Sequence, residues 1–269
     1  MEQDVSLSTD HTRTCVITGA ASGIGHAVAE RERRRGSRVI GIDLRDADVE
    51  ADLADAASRA HAVTEVDDLC DGAPVDALVA CAGIAAPVAA TVHVNYFGVV
   101  DILEGLRPLL TDAAAPRAVV VSSVAAVHPT TAGVVEACLD GDEARAHEQA
   151  EAAVSRREGH LLYASSKAAV SRWVRRRAAT PSWAGSGIAL NAVAPGIVAT
   201  NLIRSQLKDP EARAQLEEWV PMPLGGPATA DQLAEVISVL TGPAAALLAG
   251  QVLYVDGGAE ATLRGDQVW

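Results

Sequence analysis

Between Thr18 and Gly25 the chain reads Thr-Gly-Ala-Ala-Ser-Gly-Ile-Gly, and the placing of its three glycines limits the fold more than any other stretch. The run follows a short β-prone segment, residues 13–18, and opens a helical pattern, the context that separates a phosphate-binding turn from a chance glycine cluster. Gly19 permits the tight turn and Gly23 lets backbone amides approach a pyrophosphate. Gly25 lets the helix pack closely on the sheet while its N-terminus, the positive end of its dipole, faces the anion. Any strand-to-helix turn accommodates one glycine; three at this spacing predict a dinucleotide site, with Ser22 and Ile24 drawn into the same contact.

The rest of the chain keeps a strand–helix rhythm. Apolar periodicity predicts helices over residues 23–35, 55–69, 88–110, 162–179 and 231–240, and β-rich runs predict strands over 13–18, 38–43, 75–81, 117–123, 188–193 and 251–255. Such alternation gives a parallel sheet covered by helices. The expected fold class is α/β, a Rossmann-type doubly wound parallel sheet of about seven strands with helices on both faces and one helical insertion. Residues 1–12 read as a flexible tail and 13–269 as a single domain. Two stretches break the rhythm. Residues 134–158, whose second half is rich in Ala, Glu, Gln and Arg, predict an inserted helical arm. Residues 197–227, punctuated by proline and carrying Leu202, Ile203, Leu207, Trp219 and Met222, read as a substrate lid.

Composition narrows the partners. Asp and Glu outnumber Lys and Arg by 35 to 22, for a formal net charge of −13, the reverse of what a phosphate backbone attracts, so no nucleic-acid partner is expected. The arginine-rich stretches 31–38 and 172–177 fall at the polar ends of predicted helices, where they complement the dipole. Aromatic residues are only 3% of the chain against 49% hydrophobic, so the core must be built from Ala, Val, Leu and Ile. Cys15, Cys70, Cys81 and Cys138 lack CxxC spacing, and no disulfide or metal site is expected. No apolar run reaches bilayer-crossing length and the N-terminus is acidic and polar, so no membrane partner is expected and a cytoplasmic location is the default.

Three further positions bear on chemistry. Asp43 ends the second strand, where a carboxylate accepts hydrogen bonds from ribose hydroxyls and repels a 2′-phosphate; this favours NAD over NADP, although Arg45, two residues on, is placed to bind that phosphate. Tyr163 and Lys167 stand four apart in a helical stretch, on one face and one turn apart. An ammonium beside the phenol is expected to lower its pKa from about 10 toward the range of a working acid or base. Ser123, at the C-terminal end of its strand, is placed to bond the same substrate oxygen. Taken alone, a Tyr-x3-Lys pair arises often by chance, and Asp43 serves equally as a turn cap.

In combination, Thr18-Gly-x3-Gly23-x-Gly25, Asn95, Ser123, Tyr163-x3-Lys167 and Pro195-Gly196-x3-Thr200 resemble the short-chain dehydrogenase/reductase family over roughly residues 13–258. The resemblance implies that Tyr163 is the acid/base, Ser123 orients the carbonyl or hydroxyl, Lys167 holds the nicotinamide ribose and Asn95 supports a water-linked proton relay. It further implies Leu44 beside Asp43, Asp52 and Leu53 by the adenine, and Ala82 and Gly83 by the adenosine ribose. Asn191, Pro195, Gly196, Ile197 and Thr200 would border the nicotinamide. Cys81 departs from the family's usual Asn before Ala-Gly. So does the spacing of 40 positions from Ser123 to Tyr163, most of whose excess lies in residues 134–158. That insertion resembles the branch of bacterial 3α-hydroxysteroid dehydrogenase/carbonyl reductases, where it implies a homo-oligomer with a dimer favoured.

The expected activity is NAD(H)-dependent interconversion of a secondary alcohol and a ketone on hydrophobic, alicyclic small molecules. Dihydrodiols, polyols and acyl-chain ketones are the alternative substrates, and a non-catalytic NAD-sensing protein is the alternative of another class. The lid residues would either line an apolar pocket or pack the lid onto the domain.

Overall fold

The computed structural model describes residues 12–267, so the tail expected over 1–12 lies, apart from Thr12, outside the described residues. Seven parallel strands form one sheet: β1 (Thr14–Thr18), β2 (Arg38–Asp43), β3 (Val49–Glu50), β4 (Ala77–Ala80), β5 (Arg117–Val121), β6 (Ala189–Pro195) and β7 (Val252–Val255). Their order is β3-β2-β1-β4-β5-β6-β7. The chain runs outward from β1 to β3 and then crosses back to β4, which opens a crevice beyond the C-terminal ends of β1 and β4, the place where doubly wound sheets hold ligands.

Period-two alternation divides the sheet between two cores. Val16, Leu78 and Val120 point to one face, Ile17, Val79 and Val119 to the other, and all six are inaccessible to solvent. The second face is covered by α1 (Gly23–Arg34) and α10 (Ala230–Leu240), which pack together; α10 starts with a reciprocal capping box between Thr229 and Gln232. The first face carries α2 (Ala56–Cys70), the pair α3 (Ala90–Val92) and α4 (Val99–Thr111), and α7 (Leu162–Arg177). Each buried Val, Leu or Ile on these faces contributes about 1.5–3 kcal/mol relative to exposure, which is how a chain so poor in aromatics is held together. Trp173 and Trp183 meet edge to face at 5.9 Å beneath the sheet's end.

Between α3 and α4 the helix widens into a π turn over His93–Gly98, which contains Asn95. The insertion forms two helices, α5 (Ala132–Leu139) and α6 (Glu143–Ser155), packed on each other, with α5 also against α7. Alanines 146, 150 and 153 line the buried side of α6 at a spacing of three to four, and their small side chains permit close helix approach. After β6 the chain makes a turn at Asn201–Ile203, then α8 (Arg204–Lys208) and α9 (Pro210–Trp219), which Asp209 caps by accepting the Glu211 and Ala212 amides. A last helix, α11 (Ala259–Arg264), follows β7.

Candidate active site

The glycine turn leaves β1 at the crevice. Gly19 holds a positive φ of 72°, and its amide bonds the Ile42 carbonyl at 2.8 Å, which ties the turn to β2. A Cβ on Gly25 would lie 2.2 Å from the Gly19 carbonyl oxygen, so only glycine lets α1 start this close to the turn. Ser22 precedes α1 in extended conformation with no side-chain cap on the helix, leaving first-turn amides to face the crevice. Across it, the Thr18 hydroxyl accepts from the amides of Cys81 (3.1 Å) and Ala82 (3.0 Å), which fixes the end of β4 against β1.

A cavity of 460 Å³ lies over this turn. Gly19, Ser22, Gly23, Ile24, Gly25, Asp43, Leu44, Asp52, Leu53, Ala82, Gly83 and Thr200 line it, together with Ala54, Cys81 and Val94, which sequence reasoning did not assign to it. Asp43 is half-buried there. Its Oδ2 accepts the Ala21 amide (2.9 Å) and its Oδ1 the Leu44 amide (2.7 Å), and each oxygen keeps a lone pair for a ribose hydroxyl. Arg45 is exposed and is not among the lining residues. A Cβ on Gly83 would sit 3.1 Å from Asn95 Oδ1 and 3.5 Å from Lys167 Nζ, so glycine lets the cavity wall pack closely on both side chains. An open helix start, a glycine turn and an acceptor at the far end together suit a dinucleotide.

A second cavity, of 550 Å³, shares Ile24, Cys81, Gly83, Thr200 and Leu202 with the first, so the two adjoin along a seam of these residues. Ser123, Tyr163, Lys167, Pro195, Gly196 and Ile197 line the second cavity. The Ser123 hydroxyl accepts the Ala125 amide at 3.1 Å and is near enough to the Tyr163 phenol to favour its ionised form. Ser122 faces the other way: its hydroxyl is engaged by Lys167 O (3.2 Å) and Ser171 Oγ (2.7 Å) and serves packing. Lys167 Nζ donates to Val121 O at 2.8 Å and stands 5.9 Å from the centre of the Tyr163 ring. Burial lowers its pKa to about 8, with Cys81 opposing. Cys81 itself is pushed up to about 12 by burial and is a thiol rather than a thiolate.

Three expectations need correction. Tyr163 is raised above its ordinary value, not lowered, because burial outweighs the lowering by the Ser123 hydroxyl, while the Lys167 ammonium stands over the ring, 5.9 Å from its centre. Asn191 lies low on β6, paired with Val119, where it donates to Leu248 O (2.7 Å) and accepts the Gln251 amide (3.0 Å); it clamps β6 to the approach of β7 and lines neither cavity. Of the lid residues, Leu202, Ile203 and Trp219 line the second cavity, whereas Leu207 and Met222 pack with Val124, Ile197 and Val220 in a small separate core that seats the lid.

Asn95 is fully buried behind the seam. Its Oδ1 accepts the Ile84 amide (2.9 Å) and its Nδ2 donates to Ile84 O (2.9 Å) and Ser166 Oγ (3.1 Å), so the side chain holds the turn after β4 in place. His128, His160, Gln206 and Gln215 are the polar residues of the second cavity that sequence reasoning missed. The His128 ring stacks on Trp219 at 5.3 Å; burial lowers its pKa, so it is neutral at physiological pH, and Nε2 is buried without a partner. Among the described residues no cluster of His, Cys, Asp or Glu could hold a metal ion, and no helix is long and apolar enough to cross a membrane.

A doubly wound sheet whose switch-point crevice joins a glycine-lined cavity to one bearing a Ser–Tyr–Lys cluster defines a dinucleotide-dependent oxidoreductase. Known proteins place it further. The family profile described as short chain dehydrogenase matches residues 13–135, and the related profile described as Enoyl-(Acyl carrier protein) reductase matches residues 147–260. The chain is 38% identical to 3-alpha-hydroxysteroid dehydrogenase/carbonyl reductase of Comamonas testosteroni, over 94% of this chain and 98% of that one. It is 34% identical to cis-4-hydroxycyclohexanecarboxylate dehydrogenase of Sinomonas cyclohexanicum, over 91% and 96%. The crystal structure of the 3-alpha-hydroxysteroid dehydrogenase from Pseudomonas sp. B-0831 complexed with NADH superposes with a TM-score of 0.87 at 44% identity, covering 94% of this chain and 99% of that one. The protein belongs to the short-chain dehydrogenase/reductase family and is a dehydrogenase acting on alcohol or carbonyl groups with a nicotinamide dinucleotide.

Proposed function

We propose that the protein interconverts a secondary alcohol and a ketone with NAD(H), acting on hydrophobic alicyclic substrates in the manner of a 3α-hydroxysteroid dehydrogenase/carbonyl reductase. The observation that carries the reading is that Ser123, Tyr163 and Lys167 line one cavity, which adjoins the glycine-lined one at Gly83, beside Lys167 Nζ. NAD is supported by Asp43 lining the nucleotide cavity while Arg45 does not, and by the NADH of the Pseudomonas relative. An alicyclic substrate is supported by the size and largely apolar lining of the second cavity and by the names of the Comamonas and Sinomonas relatives.

In this reading Gly19, Ser22, Gly23, Ile24 and Gly25 hold the pyrophosphate and Asp43 the adenosine ribose. Leu44, Asp52 and Leu53 flank the adenine, and Ala82 and Gly83 lie along the ribose. Pro195, Gly196, Ile197 and Thr200 border the nicotinamide. The dinucleotide, when bound, supplies the site that accepts or donates hydride. Tyr163 takes the alcohol proton in oxidation and returns it in reduction; its raised pKa keeps it protonated, ready as a donor, near neutral pH. The Ser123 hydroxyl meets the charge developing on the substrate oxygen. Lys167 holds the nicotinamide ribose, and Asn95 supports the proton relay by fixing the Gly83–Ile84 turn beside Nζ. The stretch 197–227 acts as the lid that excludes water. The reading includes a cytoplasmic homo-oligomer, with a dimer favoured, which light scattering tests.

The decisive experiment assays steroid, alicyclic, polyol and acyl-chain ketones with NADH and with NADPH. Turnover of bulky alicyclic ketones with NADH is expected. Preference for polyols or acyl chains would move the protein elsewhere in its family, and NADH binding without turnover of any compound would make it a sensor.

A further inference from the structure

The insertion has no part in the chemistry above, yet one of its carboxylates reaches the wall of the nucleotide cavity through a single arginine. Arg59, in the first turn of α2, has only 1% of its side chain exposed. Its Nε donates to Asp101 Oδ2 on α4 at 2.7 Å, and its Nη2 donates to Glu143 Oε2, the first residue of α6, at 2.6 Å. Its Nη1 donates to the carbonyl oxygens of Leu53 (3.2 Å) and Ala54 (3.3 Å), both of which line the nucleotide cavity. Glu143 is fixed from its other side, since Oε1 bonds His93 Nδ1 at 2.7 Å and His93 Nε2 meets His147 Nδ1 at 3.0 Å.

The stretch from Ala51 to Asp55 lies outside any strand or helix, so its backbone groups need side-chain partners. The Asp52 amide finds Ser58 Oγ and the Ala54 amide finds Asp52 Oδ1, both at 2.9 Å, while the Leu53 and Ala54 carbonyls find Arg59. A guanidinium is a rigid planar fork, and carboxylates on two of its edges fix its plane, and with it the two carbonyls on the third. Of the two carboxylates, Glu143 is the less exposed, at 31% against 45% for Asp101.

We propose that Arg59 is a positioning residue for the adenosine end of the cofactor, and that the inserted helix α6, acting through Glu143, sets the protein's nucleotide affinity. The proposal rests on the nucleotide reading of that cavity. The insertion is then part of the nucleotide site's scaffold as well as a surface element.

The test is the binding of NADH and of AMP, which carries only the adenosine end, to wild type and to Glu143→Gln, Arg59→Lys and Asp101→Asn, alongside kcat at saturating NADH. Glu143→Gln and Arg59→Lys are expected to raise Kd about 3- to 30-fold, by the same factor for NADH and AMP, with kcat and the KM for ketone unchanged. Asp101→Asn should do less. Both mild variants keep a hydrogen-bonding group in place, so folding is preserved and a thermal scan confirms it. Wild-type Kd in both would overturn the proposal, as would a fall in kcat and thermal stability with Kd unmoved, the pattern of a purely structural role. Failure of the wild type to bind NADH or AMP would bring down the nucleotide reading itself.

Discussion

The two halves of the cleft are built on opposite plans. The nucleotide half is made of backbone: a glycine turn with no room for a Cβ at Gly25, amides tied across the switch point by Thr18, and a carboxylate, Asp43, already bonded to two main-chain N–H groups. The substrate half adds side chains carried on the short helices after β6 to residues from β5, β6 and α7, and two of the added apolar side chains stay uncovered, with Trp219 53% and Leu202 46% exposed. A site held by backbone geometry tolerates one ligand shape, because shifting it means shifting strands. A site lined by side chains on a separately seated lid adjusts to different ligands by changing rotamers or lid position. On the proposed reading the contrast divides selectivity, with cofactor choice set by the fold and substrate choice by residues 197–227.

Tyr163 lines the second cavity with Ser123 and Lys167 as the acid/base of the proposed chemistry, so changing it must silence every substrate alike. Tyr163→Phe keeps the ring and removes the proton, and turnover is expected to fall about 10²–10⁴-fold with NADH binding retained. A variant that lost one class of ketone and kept another would break the comparison. The same group gives the two directions different pH profiles. With the phenol pKa raised, its basic form is scarce at neutral pH, so kcat/KM for alcohol oxidation climbs with pH while ketone reduction stays flat.

On the nucleotide half, Gly25→Ala puts a methyl 2.2 Å from the Gly19 carbonyl oxygen. Relief requires moving the turn or the helix, at a cost of about 1–3 kcal/mol, so NADH affinity falls about 5- to 150-fold. Every substrate should suffer equally, since none touches the turn. Binding at wild-type strength would show that the backbone is more pliant than its contacts indicate. Asp43→Asn sharpens the same half at smaller scale. It keeps an acceptor for one main-chain amide and removes the charge that repels a 2′-phosphate, so the ratio of kcat/KM with NADH to that with NADPH should drop about tenfold. An unchanged ratio would move the discrimination to another residue.

How much of this was readable beforehand follows the same division. The glycine turn, Asp43 at the end of β2 and Tyr163 one turn from Lys167 are constraints on neighbouring residues, and local geometry brought all of them to the cleft. Strand β3, two residues long, carries too little pattern to be seen, and the π turn at Asn95 departs from the helical period only by one residue. His128 and Arg59 gain their meaning from partners far along the chain, Trp219 and Glu143, and no spacing rule joins such pairs. Asn191 shows the reverse error: its place in the sequence suggested the nicotinamide, but its register opposite Val119 sets it well below the crevice. Tyr163's pKa was misjudged because a spacing of four specifies a shared face and says nothing of burial.

The smallest effect belongs to the lid, and it is the one that separates substrates. Half of Trp219 is free to be covered by a ligand, and its ring is already braced against His128, which limits how far it can follow a small molecule. Covering apolar surface is worth about 25 cal/mol per Å², so a bulky alicyclic ketone that buries some 50 Å² of the indole gains about 1.3 kcal/mol. Trp219→Ala should therefore raise KM about 5- to 10-fold for such a ketone and leave a small ketone, which does not reach the lid, unchanged. Equal losses for both would mean that Trp219 works by keeping the lid folded over Ser123 and Tyr163, and the substrate half would then be as rigidly specified as the nucleotide half.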